Sequence, residues 1–225
     1  MASVVIGASG AIGGAVADQL EALGRTVVRI SRSTQPPLDL LDELSIEAAA
    51  EHVRDRIGPL DLVFDATGFL HGEDFMPERS WRSLDPDHML LDYRLNTVGP
   101  ALLMKHLLPL LRRDERAVFA TLSARVGSIS DNRLGGWHSY RASKAALNQM
   151  VRTCSIELAR KNPGAICVAI HPGTVSSRLS EPFSKSGLDV RSPDVAAAEI
   201  LDVLQALEPA DTGNLFDHKG KRVEF

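Results

Sequence analysis

Short apolar runs alternate along the chain with longer segments in which apolar residues recur every three or four positions, the pattern of strands and amphipathic helices taken in turn. The run "ASVVI" (2–6) predicts a first strand, and a glycine-rich turn leads from it into a helix through "AVADQLEALG" that Gly24 stops. "TVVRI" (26–30) predicts a second strand, "LDL" (38–40) a short third, and "LSIEAAAEHVRDRI" a helix that stops at Gly58 and Pro59. "LDLVFDAT" (60–67) reads as a fourth strand, followed by a polar loop dotted with aromatics. Asp85 then caps a long helix with Pro86 at its first position. "RAVFATLS" (116–123) predicts a fifth strand, and a helix containing "HSYRASKAALNQMVR" runs to about Lys161, before Pro163 and Gly164. A sixth strand "AICVAI" (165–170), a helix opened by Ser192 and Pro193, and a last strand "GNLFD" complete the chain. Such alternation implies an α/β fold: one doubly wound, mainly parallel sheet of about seven strands with helices on both faces, spanning residues 1–225 as a single domain.

Composition narrows the classes of function. The 225 residues are 44% hydrophobic and 24% charged with net charge -4, and lysine and arginine are spread along the chain, so nucleic acid is not an expected partner. No stretch approaches the roughly 18 apolar residues of a membrane span, and no basic leader precedes the first apolar run, which predicts a soluble cytoplasmic protein. Cys154 and Cys167 lie in apolar segments and read as reduced core thiols. The seven histidines are scattered without ligand spacing, and no metal is expected.

Chemistry enters at two places. Gly7, Gly10, Gly13 and Gly14 lie between the first strand and the first helix, where glycine lets backbone approach a pyrophosphate that the helix N-terminus stabilises. That context predicts a dinucleotide site in a Rossmann fold; the alternative is a plain structural turn. Where an NAD-binding chain would carry an acid for the ribose hydroxyls, the second strand ends in Ser31 and Arg32. A guanidinium beside a hydroxyl suits a 2′-phosphate, which favours NADP(H) over NAD(H), the other reading being a solvated loop charge. The second place is Tyr140 and Lys144, four apart and so on one helical face. A free phenol, with a pKa near 10, is a poor acid or base at neutral pH, and an ammonium one turn away would favour the phenolate. Pro100 supplies no N–H to the carbonyl of Asn96, so the long helix should kink at Gly99 and Pro100.

Taken together these residues resemble the short-chain dehydrogenase/reductase family over essentially the whole chain, and "SISDNRLGGWHSYRASKAALN" resembles its C-factor and sniffer-like carbonyl reductase branch. The resemblance implies cofactor contacts at Gly7, Ser9, Gly10, Ala11, Ile12 and Gly13, at Asp39 and Leu40, at Ala66, Thr67 and Gly68, and at Pro172, Gly173, Val175 and Ser177. It implies catalysis by Tyr140 as acid/base, by Lys144, which would also hold the nicotinamide ribose, by Asn96 through a water-linked proton relay, and by a serine that polarises the substrate carbonyl. The expected reaction is hydride transfer between NADP(H) and a ketone or aldehyde.

Three positions depart from the family pattern. Ala11 replaces a glycine, Asp65 replaces an asparagine, and Ala124 stands where the serine belongs. Ser123 lies one residue early, on the opposite face of a regular strand, so a bulge, or Ser128 reaching in from the loop, would have to supply the hydroxyl. An NADP-binding regulatory protein without turnover is therefore the rival reading, and an epimerase or dehydratase would want a larger substrate domain. Phe69, His71, Trp81, Arg125, Trp137 and Leu179 are candidates for the substrate pocket, and the short segment Arg178 to Val190 suggests an open one. The resemblance also implies a homodimer or homotetramer paired through the helices carrying Asn96 and Tyr140.

Overall fold

The computed structural model describes residues 1–225 except 73–74, 114 and 184–189. Strands β1 (Ala2–Ile6), β2 (Thr26–Ile30), β3 (Leu62–Asp65), β4 (Ala117–Leu122) and β5 (Ala165–His171) alternate with helices α1 (Ala11–Ala22), α2 (Glu43–Ile57), α3 (Pro86–Tyr93), α4 (Gly99–Leu107) and α5 (His138–Lys161). A two-residue pair, β6 (Thr174–Val175) and β7 (Val190–Arg191), precedes α6 (Pro193–Ala206), β8 (Leu215–Asp217) and β9 (Arg222–Val223). The main sheet has the order β2-β1-β3-β4-β5-β8-β9, parallel except for β9, which pairs antiparallel with β8. This is the doubly wound arrangement, and it gathers the carboxyl ends of β1, β3, β4 and β5 at one edge, where such folds bind ligands.

The strands are apolar runs because both faces of the sheet are covered. Val4 and Ile6 of β1 face one core with Val63, Phe119, Leu103 and Leu147, while Val5 faces the other with Leu20, Phe64, Ile170 and Ile200. Two helix starts follow the predicted caps, Asp85 accepting from His88 N at 2.9 Å and Ser192 from Val195 N at 3.3 Å, and Asp42 caps α2 in the same way, accepting from Leu44 N at 3.0 Å.

Two expectations are corrected. Residues 38–40 form no strand: Pro36 and Pro37 bring no N–H to a ladder, and Asp39 bonds locally, its N–H and carbonyl to Ser45 Oγ and its carboxylate to Leu41 N. The helix opened by Asp85 is not continuous, because Arg94–Val98 forms a π turn between α3 and α4 with Gly99 N bonded to Arg94 O. The kink expected from Pro100 thus takes the form of one widened turn centred on Asn96.

Candidate active site

Gly7 leaves β1 with φ +77°, and the N–H groups of Gly7 and Ala8 both donate to Ile30 O, at 2.9 and 3.2 Å. Gly10 N then donates to Gly7 O at 2.9 Å, and α1 begins with no side-chain cap and no acidic residue in its first turn. Ser9, Gly10 and Ala11 are exposed, leaving the N-terminal N–H groups of a twelve-residue helix available to an anion. The turn closes this tightly only because Gly13 lacks a side chain: a Cβ there would lie 2.4 Å from Gly7 O. Across the sheet edge, Ser31 is buried, its N–H bonded to Thr34 Oγ1 and its hydroxyl to Ser33 Oγ, while Arg32 is exposed and free of partners among the described residues. Asp39 is exposed, and Leu40 packs so closely on Gly99 that a Cβ there would lie 2.8 Å from its own. A glycine cradle and an uncapped helix end fit the pyrophosphate of a dinucleotide.

The segment after β3 is held from both sides. Asp65, fully buried, accepts Thr67 N (3.0 Å) and Thr67 Oγ1 (2.6 Å) on one oxygen and Thr121 Oγ1 (2.7 Å) on the other, so Ala66, Thr67 and Gly68 turn in a fixed arc. Asn96, also fully buried, accepts Phe69 N and donates to Phe69 O, both at 2.8 Å, and further donates to Ser143 Oγ at 3.2 Å. Its side chain therefore ties the loop after β3 to α5. A Cβ on Gly68 would lie 3.7 Å from Lys144 Nζ and 3.9 Å from Asn96 Oδ1, which brings Gly68, Asn96 and Lys144 together.

Helix α5 carries Tyr140 and Lys144 in its first two turns. Lys144 donates to Leu122 O at 2.9 Å at the end of β4, with Nζ 5.9 Å from the Tyr140 ring centroid. Trp137, just before the helix, has φ +52°, a left-handed conformation that costs a bulky residue about 1 kcal/mol. Glu78 holds it there: Trp137 N donates to Glu78 O at 2.6 Å, and Ser139 N and Oγ donate to the Glu78 carboxylate. The indole meets the Tyr140 ring edge-on at 6.2 Å and the Phe183 ring at 5.0 Å.

Tyr140 opens on a cavity of about 350 Å³. Ile12, Ala124, Trp137, Pro172, Gly173, Val175 and Ser177 share its wall, so the start of α1 behind the glycine turn, the end of β4 and the Pro-Gly turn meet there. Of the pocket candidates, Arg125, Trp137 and Leu179 line it. The others do not. Trp81 is exposed beneath the Arg82 guanidinium, His71 bonds Arg178 O and touches Phe183 from outside, and the Phe69 ring lies against Gly72. The segment Arg178 to Val190, expected to leave the pocket open, includes 184–189, outside the described residues.

No bulge turns Ser123 round. It lines the cavity, but its hydroxyl donates to Asn148 Oδ1 at 2.7 Å. Ser128, 2% exposed, accepts Asp131 N at 3.1 Å and is not part of the wall. Ala124, at the position where the resemblance implies a serine, contributes only a methyl group to the cavity wall. A larger groove of about 460 Å³ lies on the outer side of α4 and α5, lined by Met104, Leu108, Met150 and Cys154, away from Tyr140.

The electrostatics correct one expectation. Burial pushes the Tyr140 phenol well above its ordinary value, with the charge of Asp92 adding to it. Burial also lowers Lys144 to about 8, against the pull of Asp65 and Asp92. Desolvation therefore outweighs the ammonium one turn away, and the protein's own groups hold Tyr140 as a neutral phenol. Burial raises the Asp65 carboxyl as well, and holds His171, on the cavity wall, at about 4 and neutral.

Sequence reasoning passed over Glu78, His88, Asp92, Ser143 and Asn148, all nearly fully buried around the site. A signal existed for two of them, since His88, Asp92 and Asn96 repeat at four-residue spacing on one helix face.

The fold and the site together define a nucleotide-dependent oxidoreductase with a tyrosine and a lysine on one helix. Residues 2–187 match the family model described as short chain dehydrogenase, and the chain belongs to that family. It is an NAD(P)-dependent dehydrogenase/reductase. It is 29% identical over 226 residues to 1-hydroxy-2-glutathionyl-2-methyl-3-butene dehydrogenase of Rhodococcus sp. (strain AD45), covering 96% of this chain and 95% of that one. It is 31% identical over 171 residues to C-signal of Myxococcus xanthus, covering 75% of this chain and 94% of that one. The NADPH-bound carbonyl reductase from chicken fatty liver superposes with a TM-score of 0.85 at 28% identity, covering 100% of this chain and 98% of that one.

Proposed function

We propose that the protein is an NADP(H)-dependent reductase of ketones or aldehydes in which Tyr140 exchanges the proton. The observation that carries this reading is Tyr140 on the wall of an apolar cavity that the start of α1 and the Pro-Gly turn also line. Gly7, Ser9, Gly10, Ala11, Ile12 and Gly13 would hold the pyrophosphate, Arg32 and Ser31 the 2′-phosphate, Asp39 and Leu40 the adenine, and Ala66 to Gly68 with Lys144 the ribose near the nicotinamide. When bound, the dinucleotide supplies the hydride. Trp137, Val126 and Leu179 exclude water from the carbonyl. Tyr140, kept neutral by burial, is in the form that gives its proton to the carbonyl oxygen. Lys144, fixed on Leu122 O, and Asn96, fixed on Phe69, hold the loop and the helix in register around that oxygen.

A second reading, an NADP-binding regulatory protein, is favoured by the methyl group of Ala124 where a hydroxyl would polarise the carbonyl. Consumption of NADPH against a panel of aldehydes, ketones and diketones, run beside Tyr140→Phe, separates the two. Turnover lost in the variant supports the reductase, whereas tight NADPH binding without turnover on any substrate supports the regulator. The same reading places the protein in the cytoplasm, where the free thiols Cys154 and Cys167 stay reduced, as a homodimer or homotetramer paired over the groove between α4 and α5.

A further inference from the structure

Behind the active site lies a group of ionisable side chains with no part in the chemistry above. Asp92 is 0% exposed, and Glu78 and His88 are 3% exposed. His88 lies between the two carboxylates, Nδ1 3.8 Å from Glu78 Oε1 and Nε2 3.7 Å from Asp92 Oδ2, and the Phe75 ring stacks on it at 4.9 Å. Both distances exceed a hydrogen bond, and among the described residues His88 Nε2 and Asp92 Oδ2 have no hydrogen-bond partner. A structural brace would be satisfied; an apolar side chain would fill this space at lower cost than a buried, unsatisfied carboxylate. The other Asp92 oxygen accepts Asn96 Nδ2 at 3.5 Å, and Asn96 also donates to Ser143 Oγ, which donates to the carbonyl of Tyr140 itself at 2.9 Å. Glu78 completes the circuit by capping the start of α5, three residues before Tyr140.

We propose that Asp92, clustered with His88 and Glu78 behind the active site, is a positioning residue that keeps Tyr140 protonated and biases the site towards carbonyl reduction. This rests on the reading of Tyr140 as the acid/base. The titratable groups around Asp92 are His88 on its own helix, Glu78 from the preceding loop, and Lys144 and Tyr140 from α5, with Asp65 acting on Lys144 from β3. Burial, and then the neighbouring Glu78, push the Asp92 carboxyl up to about 7, Lys144 opposing. Burial also works against ionised Glu78, but hydrogen bonds from Ser139 and from its own backbone, with His88 nearby, together outweigh it and hold Glu78 below its ordinary range. Asp92 therefore changes charge near neutral pH. As an anion it disfavours a phenolate at Tyr140, so reduction, which needs the phenol, proceeds, while alcohol oxidation, which needs the phenolate, is held back. When Asp92 is neutral the restraint is lifted.

The test uses the full chain labelled with carbon-13 at the aspartate carboxyl and at the tyrosine ring carbon bearing the hydroxyl. Only two tyrosines are present, so Tyr93→Phe assigns the Tyr140 signal. One aspartate titrating near pH 7, absent in Asp92→Asn, with the Tyr140 signal moving at the same midpoint, is the expected result. Glu78→Gln, which keeps an acceptor for Ser139, lowers that midpoint by about one unit. In kinetics with 1-phenylethanol and NADP⁺, Asp92→Asn raises kcat/KM at pH 8 about tenfold, and Glu78→Gln lowers it at pH 6.5 while leaving pH 8.5 unchanged. Effects of opposite sign are foreign to a merely structural role, and if Asp92→Asn does not fold, the Glu78→Gln titration and profile decide alone. An Asp92 midpoint in the ordinary carboxylate range, or a Tyr140 signal indifferent to it, overturns the proposal. Carbon-13 coupling in a protein whose Tyr140→Phe variant still turns over instead overturns the acid role of Tyr140 and leaves the coupling standing.

Discussion

Gly13→Ala and Gly14→Ala are adjacent changes of the same chemistry with opposite expected results. A Cβ on Gly13 would meet Gly7 O at 2.4 Å, Gly7 C at 2.9 Å and the Ala66 Cβ at 3.1 Å. Gly7 O cannot withdraw freely, because it accepts Gly10 N, and Gly7 N is itself bonded to Ile30 O. Relief must come from moving backbone, and overpacking of that kind costs about 2–3 kcal/mol, more than the roughly 1 kcal/mol that alanine gains over glycine inside a helix. For a chain of 225 residues the net loss of about 1–2 kcal/mol lowers Tm by about 2–8 °C. A Cβ on Gly14 meets only Ala8 O, at 3.3 Å, so Gly14→Ala holds Tm level or raises it by about 2 °C. Thermal melts of both variants, followed by fluorescence titration with NADPH, check this. The Gly13 variant binds at least tenfold more weakly, since the N–H groups of the loop are displaced. Equal melting temperatures for the two variants would refute the steric account of the turn.

Two further outcomes follow from the site. Ala124→Ser places a hydroxyl on the cavity wall beside Tyr140 and raises kcat for carbonyl reduction on the order of tenfold to a hundredfold; an unchanged rate on the best substrate of the panel counts against a missing oxyanion donor. Asp92 also predicts a pH-dependent stability. Its folded pKa, about 7, lies above the ordinary carboxylate value, so the folded chain keeps a proton the unfolded chain gives up, and stability falls as pH rises from about 4 to about 7. Asp92→Asn escapes this, so its advantage in urea unfolding grows across that window to on the order of 2–4 kcal/mol and is level above it; a constant difference at all pH values contradicts the shift.

What the sequence by itself determined was whatever depends on near neighbours in the chain. The strand and helix pattern was legible because the central strands are runs buried on both faces and some helices open on a side-chain cap, as at Asp85 and Ser192. The Gly7 to Gly13 turn and the Tyr140 and Lys144 spacing were legible because both lie within a few turns of backbone. The interruption at Pro100 was legible as a kink, but its form as a π turn belongs to the packing of Asn96 on Phe69 and Ser143. Tertiary structure alone decided the direction of the Tyr140 shift, since desolvation depends on what covers a side chain and not on what stands four residues away. It decided that Ser123 bonds Asn148, 25 residues on, and that residues 38–40 leave the sheet for Ser45. It also brought Glu78 from a loop to the start of α5 and against His88, making a charge cluster from residues on separate segments of the chain. Local geometry is written in spacing; burial and charge coupling arise only when distant segments exclude water from one another.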